Sequence, residues 1–84
     1  MQDRGETLLQ LAHRHVVEGE ARLARQRALI ETMERDRHPD IAARGRVVLA
    51  TMEESLRLAK RHFEAERLKQ ASKETQGRPS ERTA

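Results

Sequence analysis

Arg37-His38-Pro39-Asp40 decides the fold of this chain, because a sevenfold apolar pattern runs into these four residues from one side and another leaves on the other. Pro39 disfavours helical geometry in His38 and has no amide hydrogen to donate. Its fixed φ nevertheless suits the first turn of a new helix, where Asp40 also complements the helix dipole. One helix therefore ends here and a second begins. Two helices of similar length joined by so short a connection must lie antiparallel and side by side, so the spacing predicts an all-α helical hairpin.

Upstream of the turn the helix is expected over about residues 6–36, with residues 1–5 frayed. Leu9, Val16, Leu23 and Ile30 recur every seven residues, and Ala12, Gly19, Gln26 and Met33 follow each of them by three, which makes an apolar seam about four heptads long. Leu8, His15 and Leu29 widen this seam on one flank. Glu18 with Arg22 and Glu31 with Arg35 place acid before base at four-residue spacing on the outer side.

Downstream, the second helix is expected over about residues 40–70, and residues 71–84, with Gly77, Pro79 and Ser80 and no apolar periodicity, read as a disordered tail. Its apolar residues fall on three adjacent rows: Ile41, Val48, Ser55 and His62; Gly45, Met52 and Ala59; Ala42, Leu49, Leu56 and Phe63. Three rows are broader than one partner helix covers. The narrow seam of the first helix is expected to leave Leu49, Leu56 and Phe63 or their flanking neighbours largely in water, and a second copy of the chain to cover them by completing a four-helix bundle as a twofold homodimer. The residues expected to carry these interfaces are Leu9, Val16, Leu23, Ile30, Val48, Leu49, Met52, Leu56 and Phe63. Glu53 and Arg57 repeat the acid-before-base spacing on the solvent side.

Reflection about the turn sets a register in which residue numbers at one level sum to about 77 or 78. Ile30 then meets Val48, Gln26 meets Thr51 or Met52, Gly19 meets Ala59, and His15 or Val16 meets His62. Small residues on both sides of the Gly19 layer let the backbones approach closely. A buried Gln26 fixes register through its hydrogen bonds.

Composition narrows the function classes. With 84 residues, 36% hydrophobic and 37% charged, a single Phe and no Cys, the chain can build only a thin core and has no disulfide or thiolate metal site to reinforce it, so association is expected. No apolar run approaches the roughly 20 residues that span a bilayer, and the N-terminus lacks the pattern of a signal peptide, which makes the cytoplasm the expected compartment. The net charge of +3 arises from interleaved acids and bases. Nothing supplies a nucleophile, base and oxyanion donor around a pocket, so no enzyme, catalytic residue or cofactor is expected. His15-x-x-Glu18 and His62-x-x-x-Glu66 do not reproduce the paired ligand motifs of di-iron bundles, and no metal is assigned to them. His13 and His15, two apart on a helix, point away from one another and cannot chelate. The expectation is a small bacterial adaptor or regulatory hairpin that binds itself and a protein partner of unknown identity, with no membrane association. The alternative is a nucleic-acid-associated protein gripping phosphate with Arg35, Arg37, His38, Arg44 and Arg46 at the tip. Glu34, Asp36 and Asp40 in the same stretch and the lack of a stacking aromatic disfavour nucleic acid as partner.

His15-Val16-Val17-Glu18-Gly19-Glu20, Arg25-Gln26, Leu29-Ile30, Leu49-Ala50-Thr51-Met52-Glu53 and Leu56-x-Leu58 resemble a family of short uncharacterised helical proteins from alphaproteobacteria, over roughly residues 13–68. The resemblance implies a bacterial cytoplasmic hairpin and no particular activity. Pro39 stands where that family more commonly has a Gly and Asp connection.

Overall fold

The computed structural model describes residues 5–76, which are all-helical: two helices in contact and no strand. Helix α1 is Leu8–Arg35 and α2 is Pro39–Gln76. Residues 1–4 and 77–84, on which the expected frayed N-terminus and most of the expected tail fall, lie outside the described residues. The second helix differs from expectation in its length, continuing to Gln76 instead of ending near residue 70. Ser72 to Gln76 contain no Gly or Pro, so the backbone continues without an apolar stripe until the first breakers of the sequence at Gly77 and Pro79.

Each helix end has a local chemical cause. Thr7 is extended (φ −84°, ψ 170°), its hydroxyl accepts from the Gln10 amide at 3.0 Å, and the Gln10 side chain accepts from the Thr7 amide at 2.9 Å. This reciprocal capping box satisfies two amides that the first turn leaves without helical partners. At the other end the His38 amide donates to Met33 O at 2.8 Å and the Arg37 amide to Glu34 O at 3.2 Å. Arg37 sits in the left-handed region with φ 63°. Those two bonds and that conformation make a Schellman stop, a position usually given to Gly because a Cβ is disfavoured there. His38 then caps the next helix, its carbonyl accepting from Ala42 N at 3.0 Å, and Pro39 opens α2 at the position where a missing amide hydrogen costs nothing.

The core is a single seam. Ala12, Leu23, Ile30, Ala42 and Leu56 are its buried residues, with Leu9, Val16, Leu49, Met52 and Phe63 half-buried around them. Two of the three rows on α2 therefore pack against α1: the Ala42-Leu49-Leu56-Phe63 row and the Gly45-Met52-Ala59 row. Leu49, Leu56 and Phe63 are therefore not the residues left in water; of the two outcomes expected, it is their flanking neighbours that stay exposed. The row left over is Ile41, Val48, Ser55 and His62, all exposed. The choice between rows is explained by their flanks. Beyond the Leu56 row stand Arg46, Glu53 and Lys60, which meet charges of opposite sign on α1, as described below.

The register also differs in detail from the simple reflection. An ideal Cβ on Gly45 would lie 3.0 Å from Ile30 Cγ1, and one on Gly19 would lie 3.1 Å from Leu56 Cδ1. Ile30 thus packs over Gly45 rather than against Val48, and Gly19 meets Leu56 rather than Ala59. Gln26 reaches across to donate from Nε2 to the Gly45 carbonyl at 2.9 Å, not to the Thr51 or Met52 level. The carbonyl is reachable because Gly45 has no side chain in the way, and its second lone pair remains after the helical bond. Each helical glycine thus lies under a side chain of the opposite helix, Gly45 under Ile30 and Gly19 under Leu56.

Candidate interaction surface

Two helices side by side make a slab with two broad sides, and the sequence treats these sides differently. On one side Glu20, Arg27 and Glu34 of α1, spaced by seven, face Lys60, Glu53 and Arg46 of α2, also spaced by seven. Lys60 Nζ lies 3.4 Å from Glu20 Oε2, Arg27 Nη2 lies 3.3 Å from Glu53 Oε2, and Arg46 pairs with Glu34. The sign alternates along each helix. A slip of one heptad in either direction would set Glu against Glu and Arg against Arg or Lys, so the ladder reinforces the register that the turn fixes. Each pair is exposed and contributes on the order of 0.2–1 kcal/mol, so the ladder selects among alignments more than it stabilises the hairpin.

This ladder changes the ion pairs expected within each helix. Glu53 faces Arg27 across the hairpin, and Arg57 pairs instead with Glu54. Glu18 lies 3.4 Å from Arg14, not against Arg22. Arg35 donates to the Thr32 hydroxyl at 3.3 Å, and no ion pair joins it to Glu31 among the described residues. Arg14 also holds Glu6 by two bonds of 3.0 Å, which keeps the Glu6 carboxyl below the usual glutamate range. Glu54 and Glu64 are lowered in the same way by Arg57 and Arg67. Glu6 is half-buried, and Arg14, Glu54, Arg57, Glu64 and Arg67 are exposed.

The other side carries four rows: Leu8, His15, Arg22 and Leu29; Leu11, Glu18, Arg25 and Thr32; Ile41, Val48, Ser55 and His62; Arg44, Thr51, Leu58 and Ala65. Of the eight large apolar residues left exposed among the described residues, five lie here: Leu8, Leu29, Ile41, Val48 and Leu58. Val17, Val47 and Leu68 are spread over the ion-pair side and the outer flank of α2. Leu29, Ile41 and Val48 stand together near the turn, each about half exposed. We call this side the open face. Further from the turn it holds a hollow of about 240 Å³ lined by His15, Gly19, Arg22, Thr51, Met52, Ser55, Leu56 and Ala59. The hollow exists because Gly19, Ser55 and Ala59 are small where neighbouring layers have Leu, Ile or Met.

Of the nine residues expected at interfaces, eight are occupied inside the hairpin: Leu23, Ile30 and Leu56 are buried, and Leu9, Val16, Leu49, Met52 and Phe63 are half-buried. Val48 alone stands on the open face, at 49% exposure. Leu29, Ile41 and Leu58 were not singled out by the seam analysis, although Leu29 and Ile41 appear in it as flanking positions. The third apolar row of α2 was the signal for Ile41, the flank of the α1 seam was the signal for Leu29, and Leu58 lies outside all three rows.

The histidines do not assemble into a site. His13, not His15, meets the aromatic residue of α2, with ring centroids 5.4 Å apart between His13 and Phe63. His15 and His62 are both exposed. Among the described residues no group of three or more His, Cys, Asp or Glu side chains is arranged to hold a metal ion. At the tip Arg46 is tied to Glu34 and Arg35 to Thr32, which splits the basic cluster that the sequence suggested. No helix among the described residues is long and apolar enough to cross a membrane. No family model matches the chain, and neither the curated proteins nor the solved structures contain a match to it.

Proposed function

We propose that this chain is a non-enzymatic bacterial interaction hairpin, acting in the cytoplasm as an adaptor or regulator, and that it self-associates through the open face as a twofold dimer whose four helices form a bundle. The observation that carries this reading is the division of the slab: neutralising ion pairs line one side, and most of the exposed Leu, Ile and Val side chains share the other. Burial of each such side chain is worth about 1.5–3 kcal/mol, a large share of the stability of so small a domain. Twofold pairing needs one self-complementary patch, and Leu29, Ile41 and Val48 supply it near the turn.

Sedimentation equilibrium tests the proposal. A dimer is expected at micromolar concentration, and Leu29→Glu with Val48→Glu is expected to give a helical monomer, while Arg57→Glu on the ion-pair side leaves the mass unchanged. A cooperatively folded wild-type monomer at that concentration would refute self-association. Nucleic-acid binding through the tip is the weaker reading, since its arginines are partly engaged by Glu34 and Thr32; steep loss of DNA or RNA retention with salt would reinstate it.

A further inference from the structure

The open face is not electrically neutral. Its four rows contain three arginines, Arg22, Arg25 and Arg44, and none of them has an ion-pair or hydrogen-bond partner among the described residues. The one acid of these rows, Glu18, is engaged by Arg14 at 3.4 Å. Elsewhere among the described residues Arg27, Arg46, Arg57, Lys60 and Arg67 hold a carboxylate, whereas Arg35 and Arg37 at the turn, Arg61 and Lys73 do not. The side with most of the uncovered apolar residues thus also carries three unpaired arginines and no free acid.

A second copy would cover the apolar residues but offers the same three unpaired arginines and no free acid to neutralise them. Like charges across an interface oppose association, and an opposite charge reverses that sign. An amphipathic helix with an apolar stripe flanked by Glu or Asp satisfies both features at once. From the level of Arg44 to that of Arg22 the hairpin runs for about 14 Å, between two and three turns of such a helix. Leu29 and Val48 lie within this span, and the hollow beside Arg22, Ser55 and Gly19 accepts one large side chain of the incoming helix.

We infer that the open face is a docking site for an acidic amphipathic helix of another protein, which competes with self-association by neutralising Arg22, Arg25 and Arg44. This rests on the proposal that the open face is where the chain associates, and it names the chemistry of the partner and a means of regulation: an acidic helix converts dimer into heteromeric complex.

The test uses the full chain and two synthetic three-heptad peptides with the same Leu stripe, one flanked by Glu and the other by Lys. Titration calorimetry and sedimentation are read together. The Glu peptide is expected to bind and to dissociate the dimer. The Lys peptide is expected not to bind. Arg22→Glu, Arg25→Glu and Arg44→Glu combined are expected to cost the Glu peptide at least about tenfold in affinity, equivalent to about 1.4 kcal/mol, with helicity retained in circular dichroism. Arg57→Glu, on the opposite side, is the control for general charge and is expected to bind as wild type.

Equal binding of both peptides overturns the inference, as does a loss with Arg57→Glu as large as that of the triple variant. A dimer that neither peptide touches also overturns it and leaves self-association standing. A wild-type monomer that binds the Glu peptide through the three arginines refutes the dimer and upholds the inference.

Discussion

Gly19 and Gly45 both lie under a side chain of the opposite helix, yet replacing each by Ala is expected to have opposite effects. Removal of a helix-interior Gly gains about 1 kcal/mol of helix propensity in either case. At Gly45 the new Cβ would sit 3.0 Å from Ile30 Cγ1 and 3.5 Å from Gln26 Nε2. Cγ1 is held near the backbone of a β-branched residue that is itself buried, so it can move only if the helices separate. Overpacking of this kind costs typically 1–3 kcal/mol, and separation also weakens the Gln26 bond to the Gly45 carbonyl, worth about 0.5–1.5 kcal/mol. Gly45→Ala is therefore expected to destabilise by about 1–2 kcal/mol net. At Gly19 the contact is 3.1 Å to Leu56 Cδ1, the terminal methyl of a rotatable side chain beside the 240 Å³ hollow. Rotation into that space relieves the clash, so Gly19→Ala is expected to be neutral or stabilising by up to about 1 kcal/mol. Urea denaturation followed by circular dichroism at one protein concentration measures both, and a double-mutant cycle with Gln26→Ala isolates the hydrogen bond. Equal stabilisation by the two substitutions would refute the close approach at the turn end. Additivity of Gly45→Ala and Gln26→Ala would refute the coupling between those side chains.

Four other outcomes follow from the same geometry. Arg37→Gly should stabilise by roughly 0.5–1 kcal/mol, because it removes a Cβ from a left-handed residue, with the melting temperature as readout. Arg27→Glu should cost about 0.5 kcal/mol by setting a second carboxylate against Glu53, and Glu53→Arg in the same chain should restore it; the effect should fade in molar salt. Thr7→Ala should cost about 1 kcal/mol and speed amide exchange in the first turn of α1. The carboxyls of Glu6, Glu54 and Glu64 are lowered by arginine partners, so their contribution is fully present above the ordinary glutamate value of 4.5 and is lost as pH falls through their lowered values; carboxyl-carbon NMR titration should find all three below that ordinary value.

Local rules were sufficient for the elements and their order. Pro39 after His38 marks the boundary, and the sevenfold spacing of Leu9, Val16, Leu23 and Ile30 requires a helix with one buried seam, because side chains seven apart share a face whatever surrounds them. Thr7-x-x-Gln10 also carries the capping box in four consecutive residues, a local pattern that the seam analysis did not use. The two helices and their antiparallel pairing were legible for the same reason.

Which rows of α2 would be covered was not a local question. Three contiguous apolar rows offered α1 two ways to pack, and hydrophobicity did not choose between them. The tertiary structure decided through the flanks: Glu20, Arg27 and Glu34 meet opposite charges only when α1 lies over the Leu56 row, and that placement leaves Ile41 and Val48 outside. Sequence spacing had assigned Glu53 to Arg57 on its own helix, because four-residue neighbours are visible along the chain and a partner twenty-six residues away is not. The open face, with its apolar residues and its uncompensated arginines, came into view only once the two helices had been set against each other.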